Sequence, residues 1–444
     1  MADFVERPRS ACPLAGALAA ISALPDVAPV IHSAIGCGGA LGGSASTGGG
    51  NLGSGYCSGA YAPASSITEN EVIFGGAERL EEQIGTTLEL IDARLYIVTT
   101  GCVTEMIGDD VHGVVGKFSG EGKPVIAVNT PSFKGDSYAG YEILLDGIFN
   151  HYLQPAAEHD PGLVNLFGLV PAYDPFFRGD LAEIARLLKG LGLRVNTFFT
   201  PDQNFDNILA APKAGLNIVF SGVYAQNFAR NFQERHGTPG WSTALPIGAE
   251  AATRFLLELA GHIEVPKKTL NALIEQENQE YYGYFARGSD LFGDSDMKHY
   301  AVTATNSNYL IPVASFLQRE LGWVVLHSFV TDQLKDPEKR QLEESYGAAG
   351  LDSELIFETG AAGIAKTMAG RLPENRGQRY FDDYSPLFIL GSALERPTAI
   401  KRGARQLSIS YPMPNRLVMD RGYAGYRGGL HLFEDLINSI LATS

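Results

Sequence analysis

The residues of this chain best suited to metal chemistry are its cysteines, and all four lie within the first 102 of 444 positions. Cys12, Cys37 and Cys102 each stand at the edge of an apolar run, beside a glycine or a turn. A thiolate is a soft ligand suited to iron–sulfur clusters and zinc, and glycine lets the backbone approach an inorganic group closely. Cys57 lies inside a glycine- and serine-rich stretch and has no such setting. Cys12, Cys37 and Cys102 are therefore the candidate metal ligands.

Each cysteine taken singly is more often a buried small hydrophobic residue than a ligand, and it is the shared setting that favours ligation. The absence of any C-x-x-C pair in the sequence disfavours a zinc ribbon or a ferredoxin-type cluster. Three thiols are one ligand short of a common cluster, so we expect a second subunit to complete the site. The sequence also lacks the G-x-x-x-x-G-K-[ST] phosphate loop, so we do not expect this chain to hydrolyse a nucleotide.

Three polar residues near the cysteines have a structural and a functional interpretation. His32 lies on a predicted strand, and a hydrogen-bonded core histidine is the favoured interpretation. Asp109 and Asp110 are interpreted as the start of a helix, where an aspartate caps a free backbone N–H, with a surface docking role as the alternative.

Composition narrows the class of protein. A net charge of −16, from 34 basic and 50 acidic residues, opposes binding to nucleic acid. No apolar run is long enough to cross a membrane, and the first residues lack the pattern of a secretory signal. We therefore expect a cytoplasmic protein whose thiols are reduced, with neither a membrane nor a nucleic acid as partner.

Strands alternate with helices along most of the chain, which predicts an α/β fold with mostly parallel sheets. The length predicts several domains. We predict three Rossmann-like domains at residues 1–160, 161–298 and 299–444. Ligands of such sheets bind outside the carboxyl ends of the strands. A buried strand is predicted to end at Cys37 and another just before Cys102, which places both thiols at such an end.

The order of several motifs resembles the component 1 proteins of nitrogenase and their relatives, over essentially the whole chain. The motifs that carry the resemblance are C-P-L-A-G-A at 12–17, H-S-A-I-G-C at 32–37, T-E-N-E-V-I-F-G-G at 68–76, C-V-T-E-M-I-G-D-D at 102–110, T-P-S-F-K-G at 130–135, L-P-I-G at 245–248 and G-Y-R-G-G-L at 425–430.

This resemblance implies two homologous three-domain subunits, α-like and β-like, in an α2β2 heterotetramer. Three cysteines from each subunit hold an [8Fe-7S] P-cluster at their interface, and the matching positions here are Cys12, Cys37 and Cys102. The α-like subunit holds the active-site metallocluster through a later cysteine and a histidine. Since no cysteine follows Cys102, the resemblance implies a β-like, electron-relaying subunit. An ATP-dependent iron protein would dock near Phe133 and the Asp109-Asp110 loop.

Two departures favour a nitrogenase-like reductase over a dinitrogen reductase. The glycine- and serine-rich stretch 38–60 replaces an aromatic and charged segment of the family, and the N-terminal extension of molybdenum nitrogenase is missing. A methylthio-alkane reductase, which cleaves a carbon–sulfur bond, fits these departures. The alternatives are a scaffold subunit for cofactor assembly, a subunit of a tetrapyrrole reductase, and a protein whose cysteines are buried and inert.

Overall fold

The computed structural model describes residues 9–39, 62–294, 299–372 and 387–442. Their strands form three separate parallel sheets, each covered by helices. The α/β fold with parallel sheets predicted from the alternation is thereby confirmed. The predicted domain boundaries stay a prediction. Cys57 and most of the stretch 38–60 lie outside the described residues.

The first sheet contains β1 (Val27–His32), β2 (Leu95–Thr100) and β3 (Val125–Val128), in the order β1-β2-β3. All six residues of β2 are buried, as expected for a parallel strand covered on both faces. The prediction that β1 runs to Cys37 was wrong, because the strand ends at His32. The chain then turns, and the N–H of Cys37 donates to the carbonyl of Ala34 at 3.1 Å.

The second sheet contains β4 (Asp160–Phe167), β5 (Arg194–Asn196), β6 (Ala214–Val219) and β7 (Gly240–Ser242), in the order β5-β4-β6-β7. The third contains β8 (Tyr300–Thr305), β9 (Val324–Val330), β10 (Glu354–Phe357), β11 (Leu387–Gly391) and β12 (Arg405–Ser408), in the order β10-β9-β8-β11-β12. In both sheets the strand order reverses beside the first strand of the sheet. Such a reversal opens a crevice at the carboxyl ends of the strands.

The α-helices run as follows: α1 Pro13–Ala23, α2 Glu69–Phe74, α3 Ala77–Leu90, α4 Cys102–Ile107, α5 Val111–Gly120, α6 Ser137–Leu145, α7 Phe177–Gly190, α8 Phe205–Ala210, α9 Gln226–His236, α10 Gly248–Leu259, α11 Lys267–Asp294, α12 Ser307–Ser315, α13 Asp336–Ala348, α14 Ala361–Arg371, α15 Arg396–Arg402 and α16 Gly425–Leu441. The α6 and α12 helices continue in the wider π form, over Asp146–Tyr152 and Phe316–Glu320. No helix among the described residues is long and apolar enough to span a membrane.

The last helix joins the second sheet to the third. α16 packs against α7, α10 and β12. Asp180 of α7 is fully buried, and its carboxylate accepts the backbone N–H groups of Tyr423 and Ala424 at 2.6 and 2.8 Å, just before that helix. One large apolar core extends from α1 to α16. It includes residues of α1, β2 and α6, which position Cys12 and Cys102.

Candidate functional site: three thiols at the edge of the first sheet

Cys12 is half-buried at the N-cap of α1, with Pro13 in the first turn of that helix. Burial raises the pKa of its thiol, while the nearby backbone N–H groups of Ala15 and Leu14 lower it. The charges of Cys102 and Cys37 raise this pKa further. Cys12 and Cys37 also pack against the same apolar cluster, formed by Leu14, Leu18 and Ile31. The structure therefore brings the three predicted thiols together on one side of the first sheet.

The position of Cys12 depends on a close contact between α1 and α6. A Cβ added at Gly140 of α6 would lie 1.9 Å from the carbonyl oxygen of Pro13, closer than any real contact. Only glycine therefore allows α6 to approach the first turn of α1, where the thiol is held.

Cys37 lies beyond the carboxyl end of β1, in the turn that follows the strand. The hydroxyl of Ser33 donates to its Sγ at 3.1 Å. Hydrogen bonds to a sulfur favour the thiolate over the thiol and tune the potential of a bound cluster. Ser33 was not identified from the sequence, although its place directly after a buried strand was the available signal.

Cys102 is the first residue of α4, directly beyond the carboxyl end of β2. Its Sγ lies 3.0 Å from the hydroxyl oxygen of Ser132, and the N–H of Ser132 donates to the same sulfur at 3.3 Å. A Cβ at Gly101 would lie 1.8 Å from the Ser33 hydroxyl oxygen, so glycine is required where the two thiol-bearing loops meet. Ser132 was not identified from the sequence as a site residue either, although it lies within the T-P-S-F-K-G motif.

The contact between His32 and Asp109 joins the end of β1, which precedes Cys37, to the segment that follows the helix of Cys102. The fully buried His32 ring contacts the Asp109 carboxylate through Nε2 at 3.0 Å and the Ser65 hydroxyl through Nδ1 at 2.9 Å. Burial lowers the pKa of His32, with Asp109 acting in the opposite direction. The neutral ring therefore donates from Nε2 and accepts at Nδ1. The interpretation of His32 as a hydrogen-bonded core residue is confirmed.

The two aspartates after Cys102 have different roles. Asp110 is the N-cap of α5 and accepts the N–H of Gly113 at 2.9 Å. Asp109 accepts the N–H of Gly76 at 2.8 Å besides its contact with His32, and its side chain is only 3% exposed. The capping interpretation is confirmed for Asp110, while Asp109 is not an accessible docking residue because its carboxylate is buried.

Large apolar side chains are exposed on the segments that carry the thiols and on α2, which contacts the helix of Cys102. We call Ile35, Ile73, Phe74, Met106 and Phe133 the apolar rim; they are exposed by 67 to 80%. Ile35 precedes Cys37 by two residues, Met106 lies on the helix of Cys102, and Phe133 follows Ser132. Exposed apolar groups gathered in this way are typical of a surface that another protein covers.

The donor set suits an extended inorganic group better than a single ion. Within the described ranges, no three His, Cys, Asp or Glu side chains are arranged to hold one metal ion. The three thiols instead stand on separate segments, and each cysteine is half-buried. Soft ligands in that arrangement fit part of an iron–sulfur cluster whose remaining ligands come from elsewhere.

Comparison with known proteins places the chain in a family of oxidoreductases. Residues 12–441 match the family described as nitrogenase component 1 type oxidoreductase, and the chain belongs to it.

Among individual relatives, the chain is 26% identical over 414 residues to a nitrogenase molybdenum-iron protein beta chain of Sinorhizobium fredii, covering 86% of this chain and 74% of that one. It is 32% identical over 237 residues to the nitrogenase iron-molybdenum cofactor biosynthesis protein NifE of a Nostoc species, covering 51% of this chain and 46% of that one. A solved structure titled nitrogenase Cp1 at pH 6.5 superposes with a TM-score of 0.77 at 19% identity, covering 99% of this chain and 95% of the other. This last similarity shows the fold.

Proposed function

We propose that this chain is the β-like subunit of a nitrogenase-like two-component reductase, and that Cys12, Cys37 and Cys102 hold its half of an [8Fe-7S] P-cluster. The observation that carries the proposal is the meeting of these three thiols at one edge of the first sheet: Cys12 and Cys37 pack against the same apolar cluster, and Gly101, beside Cys102, contacts the Ser33 hydroxyl that donates to Cys37. When bound, a cluster of this kind supplies one-electron transfer.

The residues around the thiols have distinct tasks in this proposal. Burial raises the pKa of Cys12, and backbone N–H groups at the start of α1 partly offset that effect; the hydroxyls of Ser33 and Ser132 contact the other two sulfurs. His32 and Asp109 fix the distance between the loops of Cys37 and Cys102, because they bond the end of β1 to the start of α5. Such outer contacts orient the ligands and tune the potential at which electrons pass.

A homologous α-like subunit would supply the remaining thiols, giving an α2β2 heterotetramer that receives electrons from an ATP-dependent iron protein. The half-buried thiols and the apolar rim support an interface at this edge. Phe133 and Phe74 are the two aromatic residues of the rim and are our candidates for contact with the iron protein.

Substrate would be reduced in the partner, at an iron–sulfur metallocluster that this chain does not hold. The sequence supports this division, because it contains no cysteine after Cys102. The proposed substrate is the carbon–sulfur bond of a methylthio-alkane, with dinitrogen as the alternative. A scaffold subunit for cofactor assembly is the second candidate function, and the similarity to NifE over half of the chain supports it.

The test is the iron content and the EPR spectrum of the complex purified with its partner under anaerobic conditions. We expect Cys102→Ala to remove most of the iron and the cluster signal, because it deletes one ligand of the proposed cluster. Cys57→Ala is the matched control and should retain both. An iron-free complex with its reductase activity intact would overturn the proposal. An iron-bearing complex that only delivers a metallocluster to another apo-protein would support the scaffold function instead.

A further inference from the structure

Arg9 lies three residues before Cys12, yet its side chain reaches the third sheet. Its guanidinium pairs with the Glu395 carboxylate at two points, Nη1 with Oε2 at 3.1 Å and Nη2 with Oε1. Nη1 also donates to the Ser392 hydroxyl and Nε to the Thr359 carbonyl, each at 3.0 Å. Both charged side chains are buried. The ion pair therefore ties the segment of Cys12 to a part of the chain 386 positions away.

The site that receives the guanidinium is formed at the carboxyl end of the third sheet. Ser392 directly follows β11, and Thr359 lies just beyond the end of β10. The N–H and the hydroxyl of Ser392 donate to Glu395 Oε2 at 2.8 and 2.9 Å, which fixes the carboxylate. A Cβ at Gly391 would lie 2.7 Å from the same oxygen, so glycine makes room for it. The planar fork of an arginine matches these acceptors, and a lysine ammonium does not.

The short segment from Arg9 to Cys12 is held mainly at its two ends. At the far end, the Cys12 carbonyl accepts the N–H of Ala15 at 3.0 Å in the first turn of α1. Among the described residues, the backbone groups of Ser10 and Ala11 have no hydrogen-bond partner, and Ala11 packs against the large apolar core. Three residues span at most about 11 Å. The ion pair of Arg9 therefore limits where the Cys12 thiol can lie.

Removing one partner of a buried ion pair has a large local effect. Without Arg9, the carboxylate of Glu395, which is only 2% exposed, would lose its counter-charge. The segment would then leave the third sheet, and Cys12 would keep only its anchor in α1. Cys37 and Cys102 follow β1 and β2 of the first sheet, so their positions do not depend on this contact.

We propose that Arg9 is a positioning residue for Cys12, and that its ion pair with Glu395 fixes the Cys12 thiol relative to the thiols of Cys37 and Cys102. The geometry of the three thiols then depends on the third sheet as well as the first. The inference rests on the proposed function only where it treats Cys12 as a cluster ligand. The placement of the thiol itself does not require the cluster.

The first measurement is the alkylation rate of each thiol by iodoacetamide in the iron-free full chain, followed by mass spectrometry. Arg9→Gln and Glu395→Gln should each raise the rate at Cys12 about tenfold, because the anchor is lost. The two substitutions change the local charge in opposite directions, so a rise in both reports loosening of the segment. The matched control is Arg254→Gln, at an exposed ion pair with Glu250 at 3.6 Å, and it should leave the rate unchanged.

The rates at Cys37 and Cys102 serve as internal references in the same samples. An unchanged rate at Cys12 in both glutamine variants would overturn the proposal. An equal rise at all three thiols would also overturn it, because the ion pair would then support the fold as a whole. If the glutamine variants do not fold, Arg9→Lys gives the same comparison with a smaller rise expected at Cys12 alone.

The second measurement is the midpoint potential of the iron-loaded complex purified with its partner. Arg9→Lys should retain the iron and shift the potential, because the position of a ligand affects it, while Arg254→Lys should shift nothing. An unchanged potential together with an unchanged alkylation rate at Cys12 would overturn this inference and leave the proposed function standing. A complex without iron, in which Arg9→Gln still raises alkylation at Cys12, would overturn the proposed function and support the placement of the thiol by Arg9.

Discussion

At the carboxyl end of the first sheet, the segments after β1 and β2 carry half-buried thiols and an exposed apolar rim. At the carboxyl ends of the second and third sheets, Asp174, Asn306 and Asn308 are at most 4% exposed and bond one another across the two sheets. All three sheets are parallel, yet one end is open while the other is largely closed by the chain itself. On the proposed function, the open end is where a second protein completes the structure.

The largest predicted effect is the loss of stability on removing the Asp174 carboxylate, which lies at the closed end. Its carboxylate accepts hydrogen bonds from the N–H of Val170 at 2.7 Å, from Asn306 Nδ2 at 2.6 Å and from Asn308 Nδ2 at 3.0 Å. Asp174→Ala leaves these buried donors unpaired, so we expect the free energy of unfolding to fall by about 3 kcal/mol. Denaturant titration followed by circular dichroism measures the change.

The matched control is Asp336→Ala, because the Asp336 side chain is 85% exposed. It should alter the free energy of unfolding by less than about 0.5 kcal/mol. Equal effects of the two substitutions would show that the buried network adds no stability and would remove the contrast between the two ends.

The sequence was sufficient for the fold class. It also singled out Cys12, Cys37 and Cys102 as a group, and their role as ligands stays a prediction. The β-branched runs and glycine-flanked turns determine local structure, and local structure determines which loops reach the sheet edge. It was not sufficient for Asp174, Asn308 or Ser132, because their partners lie 30 or more residues away along the chain. Such contacts depend on how the sheets pack, and no local pattern encodes them. The end of β1 was misplaced for a related reason, since residues 31–34 bridge to residues 64–67.

Substitutions in the apolar rim test whether the open end contacts the iron protein. On the proposed function, Phe74 and Phe133 contact the iron protein, and they are 80 and 67% exposed. Replacing either aromatic side chain by serine should weaken that contact by about 2 kcal/mol, or about 30-fold in affinity, while the chain stays folded. The affinity is measured by titrating the iron protein against the complex. Leu417→Ser is the control, since Leu417 is also 67% exposed. An unchanged affinity in both phenylalanine variants would exclude the rim from this contact.

The smallest predicted effect is a change of stability with pH, and it concerns the hydrogen bond between His32 and Asp109 at the open end. Burial lowers the pKa of His32 from its ordinary value of 6.5, so the folded chain binds fewer protons there than the unfolded chain. The stability from this neutral ring is present above pH 6.5 and is lost as the pH falls below it toward the lowered pKa.

Replacing His32 by glutamine, which can still donate to Asp109 and accept from Ser65, should remove this pH dependence at a loss of about 1 kcal/mol at neutral pH. Hydrogen exchange of the backbone amides of residues 62–67 and 101–110 measures the pH dependence of local stability. The exchange rates are compared at pH 7.5 and about 5.5 after correction for intrinsic rates. In the unaltered chain, acidification should loosen these segments, and in the His32→Gln variant the two profiles should coincide. His112→Gln, at an exposed histidine of α5, should behave as the unaltered chain. If the His32→Gln variant still loosened on acidification, the loops at the open end would be held by other titrating groups, and His32 would not be the residue that joins them.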